Sequence, residues 1–81
     1  LGPPHDPYGT APDKYQALYQ NRPIQLRPNV PNDAQEQATK NLRGYYAHSA
    51  ALDDCVAQLR EAVASTNAAE DTIFVFTSDH G

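Results

Sequence analysis

The sequence predicts an α/β fold made of a long proline-rich loop, one long amphipathic helix and one parallel strand. Three observations lead there. All seven prolines lie within residues 1–31. A proline-free stretch to about residue 66 then repeats apolar residues in steps of three and four, the spacing of one helix face. Finally, residues 72–77 form a β-branched and aromatic run, followed at once by Ser78, Asp79, His80 and Gly81.

Residues 1–31 come first. Proline removes a backbone donor and holds its predecessor extended. This region is therefore expected to be loop, with a short helical turn over residues 13–20. Loops of this length inside a domain usually carry function or are disordered. The helix is expected over residues 32–67. Asn32 and Asp33 offer N-caps, and Asp33 with Glu36 three residues on resembles a capping box. Leu42, Tyr45, Tyr46, Ser49 or Ala50, Leu52, Val56, Leu59 and Val63 trace its apolar stripe. Gly44 interrupts it at a cost of about 1 kcal/mol, which marks a bend or a close packing contact. Asn67 is a suitable stop. The strand, within residues 72–81, is apolar on both faces, as in a parallel sheet covered by helices.

These lengths do not fit a self-contained domain. A helix over residues 34–66 would be roughly 50 Å long, whereas a compact chain of this size has a radius of gyration of about 12 Å. No other segment offers the strand a partner. The residues are expected to be a fragment of a larger domain, without a cooperative melt of their own. There is no initiator Met and no signal-peptide pattern at the start. The net charge of -4 leaves no basic footprint for nucleic acid and no polybasic patch for anionic membranes. No apolar run approaches the roughly 20 residues of a membrane-spanning helix. A single cysteine forms no internal disulfide and says nothing of redox compartment.

Asp79 and His80 are the leading candidates for chemistry. Ligands and catalytic groups in open α/β sheets gather beyond the carboxyl ends of strands, and this pair sits at that address. A carboxylate holds hard cations, and an added imidazole extends the range to transition metals. Gly81 would let the backbone turn sharply or approach a ligand; a plain polar turn is the competing reading. His5 lies in Pro4-His5-Asp6-Pro7-Tyr8, where flanking prolines lower the entropy lost on fixing the imidazole. It suits contact with an anion, against the plainer reading of a solvated loop histidine. Cys55 stands beside Asp53 and Asp54 within the helix, a poor setting for a thiolate, and is expected to be buried or half-buried. His48 is read as a surface or packing residue. Asp53 and Asp54 diverge by about 100° on a helix and read as a polar flank with one structural hydrogen bond. Lys14, Arg22 and Arg27 read as solvated loop charges rather than an anion site. Tyr45 and Tyr46 read as core or interface aromatics.

Together these stretches resemble the sulfatase family. The resemblance is carried by Pro4-His5-Asp6-Pro7-Tyr8, Leu26-Arg27-Pro28-Asn29-Val30-Pro31 and Leu42-Arg43-Gly44-Tyr45-Tyr46-Ala47-His48. It continues through Ala51-Leu52-Asp53-Asp54-Cys55-Val56 and Ile73-Phe74-Val75-Phe76-Thr77-Ser78-Asp79-His80-Gly81. The resemblance implies a fragment of an alkaline-phosphatase-like α/β sandwich that hydrolyses sulfate esters of small molecules or glycans. It implies that His5 binds the sulfate group and that Asp79, with His80, ligates a divalent metal. Calcium is the family's usual ion, and an imidazole at position 80 also suits zinc or manganese. The implied nucleophile, a formylglycine made from Cys or Ser before x-Pro-x-Arg, does not occur in these residues, nor do the family's aspartate pair and active-site lysines. Two other readings remain at this point. One is a phosphodiester or phosphonate monoester hydrolase of the same superfamily. The other, from a different class, is a small helical interaction module docking through its tyrosines.

Overall fold

The structure, a computed structural model, describes residues 4–80. Pro3 and the turn expected at Gly81 lie outside the described residues. The chain opens with a 3-10 turn over Tyr8–Thr10, followed by helix α1 (Asp13–Tyr19). An irregular segment through the remaining prolines leads to a second 3-10 turn, Asn32–Ala34. That turn feeds helix α2 (Gln35–Ala64), and a third 3-10 turn follows at Ala69–Asp71.

The start of α2 differs from the expected capping box. Ala34 occupies the cap position, and no side chain caps the helix. The preceding 3-10 turn does the work instead: the Ala34 N–H donates to the Pro31 carbonyl at 3.0 Å, and the Gln35 N–H donates to Asn32 O. Asn32 is occupied elsewhere, its Oδ1 accepting from Gln35 Nε2 at 3.1 Å. The far end is closed by hydroxyls. Ser65 Oγ donates to Ala62 O at 2.8 Å and Thr66 Oγ1 to Val63 O at 2.7 Å, satisfying carbonyls that lose their helical partners there.

Helix α1 and the Tyr8–Thr10 turn both pack on α2. The core between them is small: Ala11, Tyr15 and Ala47 are the buried apolar residues among those described, with Tyr19, Ala50 and Ala51 against them. Small side chains at 47, 50 and 51 let the helices approach. Tyr15 needs a partner for its buried hydroxyl, and Asp54 supplies it at 2.7 Å. Tyr19 and Tyr46 stack obliquely with centroids 5.7 Å apart, and Tyr8 meets Tyr45 edge-on at 6.0 Å. The radius of gyration is 16.3 Å, well above the roughly 12 Å of a compact chain this long. Helix α2 protrudes past what α1 can cover, which leaves Leu59 exposed.

The expected parallel strand and sandwich are absent among the described residues. Residues 72–77 are assigned to no strand and lie exposed. Ile73, Val75 and Phe76 are 89%, 77% and 69% exposed. A strand exists only as one member of a hydrogen-bonded pair, and nothing else in these residues is extended beside it. Exposed apolar side chains thus occupy four consecutive positions, 73–76. No described helix is long and apolar enough to cross a membrane.

Candidate functional site

His5 is exposed, on the loop that leads into the Tyr8–Thr10 turn. Its Nδ1 lies 2.5 Å from the Asp6 carbonyl oxygen. A carbonyl only accepts, so Nδ1 carries the proton and Nε2 remains for another partner. The loop is seated on α2 at Gly44. A Cβ there would lie 2.6 Å from the Tyr8 carbonyl carbon and 2.7 Å from Tyr8 Cβ, closer than side chains approach backbone. Gly44 thus marks close packing rather than a bend. Gly44→Ala in the full-length protein is expected to lower the melting temperature, because overpacking costs about 1–3 kcal/mol and outweighs the helix-propensity gain of about 1 kcal/mol. A rise in melting temperature would show that the loop sits elsewhere.

Asp79 and His80 occupy the exposed end of the extended segment. The His80 N–H donates to Asp79 Oδ1 at 3.0 Å, and His80 Nε2 stands 3.9 Å from the same oxygen. The two donor groups are therefore near one another, with side chains 58% and 84% exposed. One carboxylate and one imidazole suit a divalent cation chemically but provide only part of its four to eight ligands. No group of three or more His, Cys, Asp or Glu that could hold a metal occurs among the described residues. No hydrogen bond or ion pair joins His5 to Asp79 or His80 among those residues either.

The remaining candidates resolve mostly into structure. Cys55 is exposed rather than buried, because the helix turns it to the side that α1 does not cover. Asp53 is exposed, whereas Asp54 accepts the Tyr15 hydroxyl and pairs with Lys14 at 3.6 Å. Lys14 also sits 4.4 Å from the Tyr15 ring centroid. The Tyr15 hydroxyl first, and then the Asp54 carboxylate, hold its ammonium above the ordinary pKa. Lys14 is thus a partner of Asp54 rather than a free cation. Arg22 lies over the Tyr19 ring at 5.4 Å, and Arg27 is exposed. Tyr45 and Tyr46 are partly exposed on α2.

Of the surface and packing roles open to His48, the structure shows the packing one. It is 4% exposed, and its Nε2 lies 3.2 Å from Thr10 Oγ1. Nothing local in the sequence marks Thr10 and His48 as neighbours, since 38 positions separate them.

The sulfatase family model matches residues 1–81, the whole chain. A protein named ulvan-active sulfatase, from Formosa agariphila, is 38% identical over 81 residues, covering all of this chain and 16% of that protein. A protein named endo-4-O-sulfatase, from Bacteroides thetaiotaomicron, is 31% identical over 87 residues, covering all of this chain and 17% of that protein. The chain therefore spans about a sixth of the length of these curated relatives. No solved structure matches.

Proposed function

Because this chain belongs to the sulfatase family, we propose that the full-length protein hydrolyses sulfate esters, and that these residues contribute one sulfate-binding histidine and part of a metal site. The observation that carries the reading is the family match across every residue from the His5 loop to the Asp79–His80 end. The ulvan-active name of one relative supports sulfated glycans as the substrate class.

The chemistry fits the side chains. A sulfate ester is anionic, and negative charge builds on its leaving oxygen as the S–O bond breaks. His5, with Nδ1 held on the Asp6 carbonyl, offers Nε2–H to a sulfate oxygen when protonated. Such a donor, fixed before the reaction, stabilises developing charge without reorganisation. Asp79 would be the principal ligand of a divalent cation, calcium by the hardness of carboxylate, with His80 extending the choice to zinc or manganese. A cation bound there would supply Lewis-acid stabilisation of the sulfate group. The nucleophile, a formylglycine, is proposed to lie outside these residues. Residues 72–77 are proposed to become a parallel strand of an alkaline-phosphatase-like sandwich when paired, which would bury Ile73 and Val75 and set Asp79 at the strand's end.

The test is inorganic sulfate release by the full-length protein from a panel of sulfated oligosaccharides and 4-nitrophenyl sulfate, beside bis-4-nitrophenyl phosphate and a phosphonate monoester. Sulfate esters are expected to be preferred in kcat/KM by at least about tenfold, roughly 1.4 kcal/mol in the barrier. Preference for the phosphorus substrates would favour the phosphodiester or phosphonate hydrolase instead. The helical interaction module is not favoured, because the match includes residues 72–81, which that reading leaves without a role.

A further inference from the structure

We propose that His48 and Thr10 form a brace that positions the His5 loop, and that His48 is a positioning residue for the reaction although it does not touch substrate. The inference rests on the reading of His5 as a sulfate-binding group.

The donor logic is determined by the Pro7 carbonyl. Thr10 Oγ1 lies 3.0 Å from it. A carbonyl only accepts, so the hydroxyl proton is committed to Pro7. Thr10 then accepts from His48, which requires the proton on His48 Nε2. The chain of bonds runs from His48 Nε2–H to Thr10 Oγ1–H to the Pro7 carbonyl, two residues from His5. Its root is buried: His48 lies on α2 beside the fully buried Ala47. Gly44, one helical turn earlier, lets the Tyr8 backbone lie against the same helix. A backbone carbonyl two residues from the proposed sulfate-binding group is thereby tied to the most buried part of the structure.

The second nitrogen supports a specific role. With Nε2 donating, His48 Nδ1 is an acceptor, and it is buried with no partner among the described residues. A buried polar atom left unpaired is destabilising. An apolar side chain would fill the same space without that penalty, so packing alone does not account for an imidazole here. The bond to Thr10 does.

Five single variants and one double variant of the full-length protein test the brace, with kcat, KM, melting temperature and calorimetric binding of inorganic sulfate as readouts. Thr10→Val keeps the shape and removes both bonds. It is expected to lower kcat on the order of 10-fold, as a small misplacement of a reacting group does, and to lower the melting temperature modestly, because the buried His48 Nε2–H loses its acceptor. Thr10→Ser keeps the hydroxyl and should stay near the wild-type rate. His48→Gln, which retains a donor, should exceed His48→Leu in kcat. In a His5→Ala background, Thr10→Val should have almost no further effect, because both act through the same imidazole. A Thr10→Val protein with wild-type kcat, or one equally impaired with and without His5, overturns the brace alone. A normal rate in His5→Ala overturns the sulfate-binding reading and the brace with it.

Discussion

His5→Ala in the full-length protein is expected to lower kcat and kcat/KM together, on the order of 10²-fold or more, the loss typical of one missing electrostatic donor. The two constants fall together because the donor acts on charge that develops in the transition state rather than on ground-state binding. The melting temperature should hardly move. His5 is exposed, its one hydrogen bond among the described residues runs to the neighbouring Asp6 carbonyl, and surface substitutions of this kind stay within about 0.5 kcal/mol. Steady-state kinetics on 4-nitrophenyl sulfate, or on the best sulfated oligosaccharide, with a thermal melt alongside, separate the outcomes. A normal rate would return His5 to an ordinary loop residue. A collapsed melting temperature without a kinetic defect would make it structural.

Asp79→Ala should remove the metal, whereas His80→Asn should largely keep it. A carboxylate brings formal charge and hard oxygen donors, which a cation such as calcium requires. Asn at position 80 still presents a carbonyl oxygen in place of the imidazole. Loss of Asp79 is expected to weaken metal affinity on the order of 10²-fold or more, since even outer-shell partners of ligands cost 10–100-fold. Both side chains are largely exposed in these residues, so neither substitution should disturb the small core around Tyr15 and Ala47. Metal content after exhaustive desalting, measured by plasma mass spectrometry, gives the answer directly, with turnover as the second readout. If Asp79→Ala retains its metal and its rate, Asp79 is not a ligand. Loss of metal in His80→Asn but not in Asp79→Ala would make the imidazole the principal ligand and point to a softer ion than calcium.

Two features of the sequence were sufficient for most of the local structure. Proline placement confined regular helix in the first 31 residues to the short α1, and the three-and-four spacing of apolar residues marked α2. Both are backbone-level signals, readable because proline geometry and helical periodicity act over a few residues. The closeness of the Asp79 and His80 donor groups was legible for the same reason. The cap at the start of α2 was not. Asp33 had the right chemistry, but a 3-10 turn drawing on the Pro31 and Asn32 carbonyls satisfies the first donors instead, and such alternatives differ by little energy.

What only the tertiary structure decided are the contacts between residues far apart in the chain. Tyr15 reaches Asp54 across 39 positions and Thr10 reaches His48 across 38. Each pair combines residue types that are ordinary alone and acquire meaning only when α1 and the Tyr8–Thr10 turn close on α2. Gly44 read as either a bend or a contact until Tyr8 was found against it. Residues 72–77 show the complementary case. Their composition reads as a buried strand, yet they are exposed and unpaired here, and strand formation depends on backbone partners that a strand's own side chains do not supply.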